Sequence, residues 1–246
     1  MPLSKDFKSI HSKIWEIYFS QCYPNGALKL PELSNLMQLT AAEHADRGGV
    51  GFADLSSFKQ SWVMNRMRIE INQLPVWSNQ VEIITWIEEL KGVKSLRNFE
   101  LHYNGEKYLG VSTLWAVFNM ETRRPEGLQI DTSHVTRYPD KHATELANRR
   151  LEMNFEETES FKSQVQFSDL DIVNHVNNVK YLEWCLNHVE PLLILENRIK
   201  SIDLNFLKEL SLGDQFTIEK RAENDSVYFR IKKQDQICFV CLITLK

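Results

Sequence analysis

The sequence predicts an α+β fold in which one structural unit occurs twice. Each half of the chain begins with a strand, continues with one long amphipathic helix and ends with several short antiparallel strands. A gapless alignment supports the duplication, because residues 67–83 and 202–218 place their apolar positions and a turn at the same points. A strand–helix–strands pattern present twice is typical of an internal repeat.

The elements of the first half follow from hydrophobic periodicity and turn signals. Imperfect alternation favours a strand over residues 7–19, and Tyr-Pro-Asn-Gly at 23–26 marks a turn. A helical face follows over residues 30–46, with Pro31 in the first turn, where its missing N–H costs nothing. Alternating runs then predict four strands, over residues 62–71, 80–88, 94–103 and 108–119.

The second half repeats this order after a polar connection that lacks sustained periodicity before Glu145 and leaves room for one short helix. We predict a strand at 162–167, a helix at 178–195 and strands at 198–207, 215–221, 227–232 and 237–245. The expected division is an N-terminal domain at 1–125, a linker at 126–160 and a C-terminal domain at 161–246. A long helix that covers one face of an antiparallel sheet is the hotdog arrangement, and two such units form a tandem (double) hotdog.

Composition excludes several classes of protein. The net charge of −4 and the pI of about 6.0 disfavour a nucleic-acid partner. No apolar run approaches the roughly 18 residues of a membrane span, and no leader pattern opens the chain. The Cys238-x-x-Cys241 pair has no second pair to complete a metal site, so we expect no metal. We expect all four cysteines to be buried thiols, which fits a reducing, cytoplasmic location.

Residues 167–184 concentrate the chemistry of the chain, with the sequence FSDLDIVNHVNNVKYLEW. A loop between a predicted strand and helix carries Asp171 and His175, a carboxylate and an imidazole that can activate water. The helix that follows offers unpaired backbone N–H groups and a positive dipole end, which can bind an oxyanion. Aspartate and asparagine at a helix start are also ordinary caps and turn formers. The pattern alone therefore leaves a structural and a catalytic role equally open.

A family resemblance adds context. Residues 168–181, SDLDIVNHVNNVKY, resemble the signature loop of the acyl-acyl carrier protein (acyl-ACP) thioesterases of plants and bacteria. Residues 62–67, 74–77 with 81–86, and 115–124 resemble three further family motifs in the same order. The resemblance implies a double hotdog hydrolase that cleaves fatty acyl thioesters carried on acyl carrier protein. It implies no cofactor, because the phosphopantetheine arm belongs to the substrate.

The resemblance assigns catalytic positions of the family to individual residues of this chain. Asp171 and His175 match two catalytic positions, and Glu209 matches a strand glutamate proposed as a further catalytic carboxylate. We expect Glu209 or His175 to activate water, and Asp171 to orient or polarise the reacting groups. Two positions depart from the plant pattern, since Val173 replaces an asparagine and Leu210 replaces a cysteine once proposed as nucleophile. The second departure favours activated water over a covalent acyl-cysteine.

Supporting residues are expected in both halves. We expect Asn174 and Asn177 to hold the loop or the substrate, and backbone N–H groups near residues 176–178 to bind the oxyanion. The supporting residues are therefore Asn174, Val176, Asn177 and Asn178. The first half has no Asp-x-x-x-His before its helix, so we expect one active site, with the acyl chain held between the first helix and sheet. Candidates for lining that pocket are Met37, Met64, Met67 and Trp86.

Two alternatives stay open at this point. An acyl-CoA thioesterase would use the same loop, because coenzyme A and acyl carrier protein present the same phosphopantetheine arm. A non-catalytic acyl-binding protein could keep the fold, although the presence of Asp171, His175 and Glu209 together argues against it. Homodimerisation is open, as is the basic patch that docks a carrier, with candidates at Arg123-Arg124, Arg149-Arg150 and the run Lys91, Lys94, Arg97.

Overall fold

The structure, a computed structural model, describes residues 3–246. Its strands are β1 (Ile10–Glu16), β2 (Gln60–Ile71), β3 (Gln80–Lys91), β4 (Lys94–Tyr103), β5 (Glu106–Asn119), β6 (Arg124–Pro125), β7 (Glu159–Gln164), β8 (Ile199–Phe206), β9 (Gln215–Ala222), β10 (Ser226–Lys233) and β11 (Gln236–Leu245). Its helices are α1 (Leu30–Arg47), α2 (Phe52–Ser56), α3 (Asn178–Leu186) and α4 (Pro191–Leu195), with single 3₁₀ turns at Phe19–Gln21 and Phe167–Asp169.

The strands form one antiparallel sheet in the order β1-β3-β4-β5-β2-β8-β11-β10-β9-β7, with β6 paired to β5. The two halves meet where β2 pairs with β8. In the alignment of residues 67–83 with 202–218, Arg68 corresponds to Asp203, and the same two residues face each other where β2 pairs with β8. A local two-fold axis that relates the two halves therefore passes between them. Their side chains form a buried ion pair, with Arg68 Nη1 at 2.6 Å from Asp203 Oδ2. This arrangement is the predicted tandem hotdog.

The helices α1 and α3 lie side by side on one face of the sheet. Their apolar faces and the sheet form a continuous core that includes Leu33, Ile69 and Leu182. Burial of this kind stabilises by about 25 cal/mol per Å² of apolar surface removed from water. Each half therefore depends on its helix to cover its share of the sheet.

A polar pair lies under α1. His44 Nδ1 accepts a hydrogen bond from Arg97 Nη1 at 2.8 Å, and His44 Nε2 donates to the carbonyl of Lys8 at 2.9 Å. Burial lowers the pKa of His44 to about 3 and that of Arg97 to about 10. Because Arg97 is buried, the basic run Lys91, Lys94, Arg97 does not form a continuous surface patch, which corrects that part of the prediction.

The connection between the halves crosses the opposite face of the sheet. It contains no helix between β6 and β7, so the allowance for a short helix there was wrong. Its backbone N–H groups are satisfied instead by side chains of the sheet: those of Glu145 and Leu146 donate to the Glu70 carboxylate, at 2.6 and 3.2 Å, and that of Leu151 donates to Asn205 Oδ1 at 2.9 Å. Both faces of the central sheet are consequently covered.

The predicted helix at 178–195 is divided into α3 and α4. α3 ends at Leu186, and α4 begins at Pro191, which suits the first position of a helix and disfavours helical backbone in the residue before it. The strand predicted at 7–19 is shorter, because Phe19 lies in a 3₁₀ turn. The remaining predicted strands and the first helix are confirmed, with small differences at their ends. No helix within residues 3–246 has the length and apolar character needed to cross a membrane.

Candidate active site

The loop that precedes each long helix is built twice on the same backbone plan. Residues 19–30 and 167–178 align without gaps, and each segment begins with Phe-Ser and a 3₁₀ turn. In the first copy the Tyr23 N–H donates to the Ala27 carbonyl at 2.8 Å, and in the second the Asp171 N–H donates to the His175 carbonyl at 2.9 Å. The same scaffold therefore carries tyrosine and alanine in one half, and a carboxylate and an imidazole in the other.

Asn174 is a turn residue of this loop. Its φ of 63° corresponds to the φ of 82° at Gly26 in the first copy, and asparagine tolerates this left-handed conformation better than most residues. Its side chain is exposed and does not line the neighbouring cleft, whereas Val173 does. Asn174 therefore holds the turn of the loop, which is one of its two expected roles, and its side chain does not lie where Val173 meets the cleft.

The Asp171 carboxylate fixes the shape of the loop. Its Oδ1 accepts hydrogen bonds from the backbone N–H groups of Val173 and His175, at 3.0 and 3.3 Å. These bonds tie the aspartate to the backbone of the histidine four residues later, and both residues line the cleft. These contacts show that Asp171 holds the loop that carries His175, and its orienting or polarising role in the reaction stays a prediction.

Glu209 meets His175 from the end of β8. Glu209 Oε2 lies 3.6 Å from His175 Nε2. The segment is held in place because the Val176 N–H donates to the Leu210 carbonyl at 3.1 Å, and the Leu210 N–H donates to the hydroxyl of Tyr181 at 3.0 Å. Burial raises the pKa of Tyr181, which keeps this hydroxyl neutral. The structure thus brings together the three residues predicted to be catalytic.

The start of α3 offers one free backbone donor rather than three. The Val176 N–H is bonded to Leu210, and the Asn177 N–H donates to the Asp169 carbonyl at 2.9 Å. Asn177 caps the helix, since its Oδ1 accepts from the Val179 N–H at 3.1 Å. Within residues 3–246 the Asn178 N–H has no hydrogen-bond partner, and Asn178 lines the cleft. The expected oxyanion role of Val176 and Asn177 is therefore corrected, and Asn178 is the remaining donor.

The cleft in front of these residues has a volume of about 270 Å³ and is lined by both halves of the chain. A smaller cavity of about 10 Å³ continues from it between α1 and α3, sharing Met64, Asn178 and Phe206 with the cleft. Met67 lines this cavity, and Met37 belongs to the same buried core. Apolar side chains therefore line the route from the polar cleft toward the space between the helices and the sheet, where the cavity has room for about one water molecule.

Trp86 lies elsewhere. Its Nε1 donates to the carbonyl of Lys141 at 2.9 Å, and the Lys141 ammonium lies over its ring, so it faces the connection on the opposite side of the sheet. The predicted place of Trp86 in a pocket under the first helix is therefore wrong. On β3, Ile84 and Trp86 are apolar on the face opposite Val81 and Ile83, so alternation alone does not identify the face that meets the helix.

Arg123 was predicted only as part of a basic patch, but it lines the cleft and forms an ion pair with Glu209. The two residues are 86 positions apart and come from different halves, so no local pattern could join them. The single signal available was the position of Arg123 inside the 115–124 motif.

The first half contains a counterpart of the cleft that lacks its chemistry. A depression of about 300 Å³ beside the first loop includes Leu74, the repeat equivalent of Glu209, and Ala27, the equivalent of His175. None of its lining residues is titratable, and Asn25 Nδ2 bridges it by donating to the Leu195 carbonyl at 2.8 Å. Nowhere in residues 3–246 do three or more His, Cys, Asp or Glu side chains group closely enough to hold a metal ion.

Comparisons with known proteins agree with this geometry. Residues 8–135 match the family described as the acyl-ACP thioesterase N-terminal domain, and residues 152–241 match the acyl-ACP thioesterase C-terminal domain. A palmitoyl-ACP thioesterase of Arabidopsis thaliana is 28% identical over 190 residues, covering 71% of this chain and 46% of the relative. An oleoyl-ACP thioesterase of Coriandrum sativum is 27% identical over 220 residues, covering 81% and 60%. The chain thus spans about half the length of the curated relatives it matches.

Solved structures share the whole fold. An acyl-ACP thioesterase from Bacteroides thetaiotaomicron superposes with a TM-score of 0.88 at 23% identity, covering 97% of this chain and 98% of the other. A 12:0-ACP thioesterase from Umbellularia californica gives a TM-score of 0.83 at 18% identity, covering 97% and 98%. These identities are low, so the two structures establish the tandem hotdog architecture and nothing finer.

Proposed function

Since the chain belongs to the acyl-ACP thioesterase family, we propose that it hydrolyses fatty acyl-ACP thioesters and releases free fatty acid. The observation that carries the proposal is the meeting of His175 and Glu209 at the mouth of an apolar path. An imidazole beside a carboxylate suits proton transfer, and an apolar path suits an alkyl chain. The matched relatives named for palmitoyl-ACP and oleoyl-ACP hydrolysis support the substrate class.

The acyl chain enters the path between α1 and α3 in this proposal. Met64 and Met67 line its beginning, and Met37 lies in the core beyond it. Methionine is flexible and polarisable, so these side chains can move to admit an alkyl chain. The N-terminal half (1–125) thereby contributes most of the acyl-binding wall, the 126–160 linker supports the sheet, and the C-terminal half (161–246) carries the catalytic groups.

His175 accepts a proton from water, and the water oxygen attacks the thioester carbonyl carbon. Glu209 is the carboxylate that stabilises the imidazolium so formed, because its Oε2 lies 3.6 Å from His175 Nε2. The Asn178 N–H at the start of α3 donates to the oxyanion. The carbon–sulfur bond then breaks, His175 returns the proton to the leaving thiolate, and the products are a fatty acid and the carrier thiol.

Water, rather than a cysteine, is the nucleophile in this scheme. Leu210 occupies the position after Glu209 and is fully buried, and no cysteine lines the cleft. The buried thiol of Cys185 has its pKa raised by burial, which disfavours the thiolate that nucleophilic attack requires. Asp171 maintains the loop that presents His175.

Acyl carrier protein is the proposed partner, and its phosphopantetheine arm brings the thioester into the cleft. No cofactor of the enzyme itself takes part in the proposed steps. A cytoplasmic location and a homodimer stay predictions from the sequence.

The test is a panel of acyl-ACPs with saturated chains of different lengths, each compared with the acyl-CoA of the same chain, with released fatty acid measured. The proposal expects hydrolysis of the ACP thioesters with a higher kcat/KM than the CoA thioesters at one or more chain lengths. Equal or faster use of CoA would favour an acyl-CoA thioesterase. Binding of acyl chains without release of fatty acid would favour a non-catalytic acyl-binding protein.

A further inference from the structure

The turn after β5 holds Arg123 in a left-handed backbone conformation, with a φ of 57°. A non-glycine residue in this region costs about 1–2 kcal/mol. The turn maintains it with several hydrogen bonds: Asn119 Oδ1 accepts from the N–H groups of Glu121 and Thr122, both at 2.9 Å, and the Arg123 N–H donates to the Asn119 carbonyl at 2.9 Å. The backbone therefore fixes where Arg123 stands.

The guanidinium of Arg123 pairs with the same carboxylate oxygen, Glu209 Oε2, that faces His175 Nε2 at 3.6 Å. The side chains of Arg123 and Glu209 are 53% and 36% exposed, and ion pairs at that exposure contribute little to stability. Positive φ at non-glycine residues recurs in this chain, at Lys59, Ser78 and Gln234 among others, so the conformation of Arg123 is ordinary turn geometry. What distinguishes Arg123 is that its guanidinium pairs with the carboxylate that faces His175.

We propose that Arg123 is a positioning residue of the reaction, contributed by the N-terminal half, that holds the Glu209 carboxylate directed at His175. The inference rests on the proposed hydrolysis and extends its site across the two halves. A guanidinium favours the charged form of a neighbouring carboxylate and opposes the protonation of a neighbouring imidazole. The charged or titratable groups that line the cleft around Glu209 are Arg123, Asp171, His175, Tyr181 and Lys208.

Arg123→Gly is the decisive variant, because glycine adopts the required φ without strain. Its unfolding free energy should stay within about 1 kcal/mol of the wild-type value, since the strain relieved is of that order. Its kcat should fall about 10- to 100-fold with little change in KM, as expected when a catalytic carboxylate loses its alignment. The acid limb of its rate–pH profile should move, because the charge of the guanidinium beside Glu209 and His175 has been removed.

Two further variants complete the test. Arg123→Lys restores the positive charge and should return the acid limb toward its wild-type position. Arg221→Ala removes a matched surface pair with Glu223 in β9, outside the cleft, and should leave both kcat and the pH profile unchanged.

A readout that does not need turnover separates this inference from the proposed function. The NMR signals of the His175 ring at a fixed pH should shift in Arg123→Gly and in Glu209→Gln, and should not shift in Arg221→Ala. If the wild type hydrolyses acyl-ACP and Arg123→Gly matches its rate and pH profile, the inference is overturned while the function stands. If no thioester is hydrolysed, the proposed function fails, and unchanged ring signals in Arg123→Gly would overturn the inference independently. An unfolding loss above about 2 kcal/mol in Arg123→Gly that Arg123→Lys does not show would mark a structural role and also overturn it.

Discussion

The buried imidazole of His44 should make the stability of this protein fall in mild acid. In the folded chain His44 accepts from Arg97 and donates to the Lys8 carbonyl, so the neutral ring satisfies both partners. Burial lowers its pKa from 6.5 to about 3. The unfolded chain therefore binds a proton below pH 6.5 that the folded chain does not bind until about pH 3. The stability is fully present above pH 6.5 and is lost as the pH falls through this window.

The magnitude follows from the two pKa values. At pH 5 the difference from 6.5 is about 1.5 pH units, and each unit is worth about 1.36 kcal/mol, so His44 alone should remove about 2 kcal/mol of unfolding free energy. His11, which stacks on His44, also has a pKa lowered mainly by burial and acts in the same direction.

The assay is urea unfolding at pH 7 and pH 5 for the wild type and for His44→Gln, in which an amide can replace both hydrogen bonds of the ring. The wild type should lose about 2 kcal/mol more than the variant between the two pH values. His142→Gln is the control, because the His142 side chain is 59% exposed. An equal pH dependence in the wild type and His44→Gln would refute the reasoning.

Three further predictions follow from the structure. Asp203→Leu should lower the unfolding free energy by about 1.5–3 kcal/mol in urea unfolding, because it leaves the buried Arg68 guanidinium with Glu70 as its one remaining carboxylate partner. The double variant Arg68→Met/Asp203→Leu should recover most of the loss, and equal losses in both would contradict this account of the axis. Asn178→Pro should keep the helix, because proline suits the first helical position and Asn177 has a compatible ψ of 134°. Because proline has no N–H, the variant should lower kcat for acyl-ACP about 10²- to 10³-fold, whereas Asn178→Ala, which keeps the N–H, should not lower it. Full activity in Asn178→Pro would exclude this N–H as the oxyanion donor. Asn174→Gly should change neither acyl-ACP hydrolysis nor thermal stability by more than a small amount, because its φ of 63° suits glycine and its side chain is exposed; a large loss of activity would return Asn174 to the site.

The fold was predictable because its elements carry clear periodic signals. The helix α1 and most strands match the sequence prediction closely, and the gapless repeat places β2 and β8 as equivalents. The repeat also predicted a single active site, since the first loop lacks a carboxylate and an imidazole. Asp171 and His175 could be selected because their spacing within one loop is local information.

The remaining features of the site depend on tertiary contacts that no local pattern encodes. Arg123 reaches Glu209 from the other half of the chain. The N–H groups of Val176 and Asn177 are occupied by partners in other segments, so only the folded chain shows which donor is free. Trp86 lies on a strand buried on both faces, where side-chain alternation does not tell which face meets the helix.

We propose that Asp171, His175 and their partners hydrolyse acyl-ACP. Measuring the release of fatty acid from acyl-ACP by the variants His175→Ala and Asp171→Asn tests this proposal. Both variants should lose at least about 100-fold in turnover while keeping a cooperative thermal transition, because each removes an acid–base or orienting group from the cleft. Near-wild-type release of fatty acid by both variants would contradict the assignment of the site.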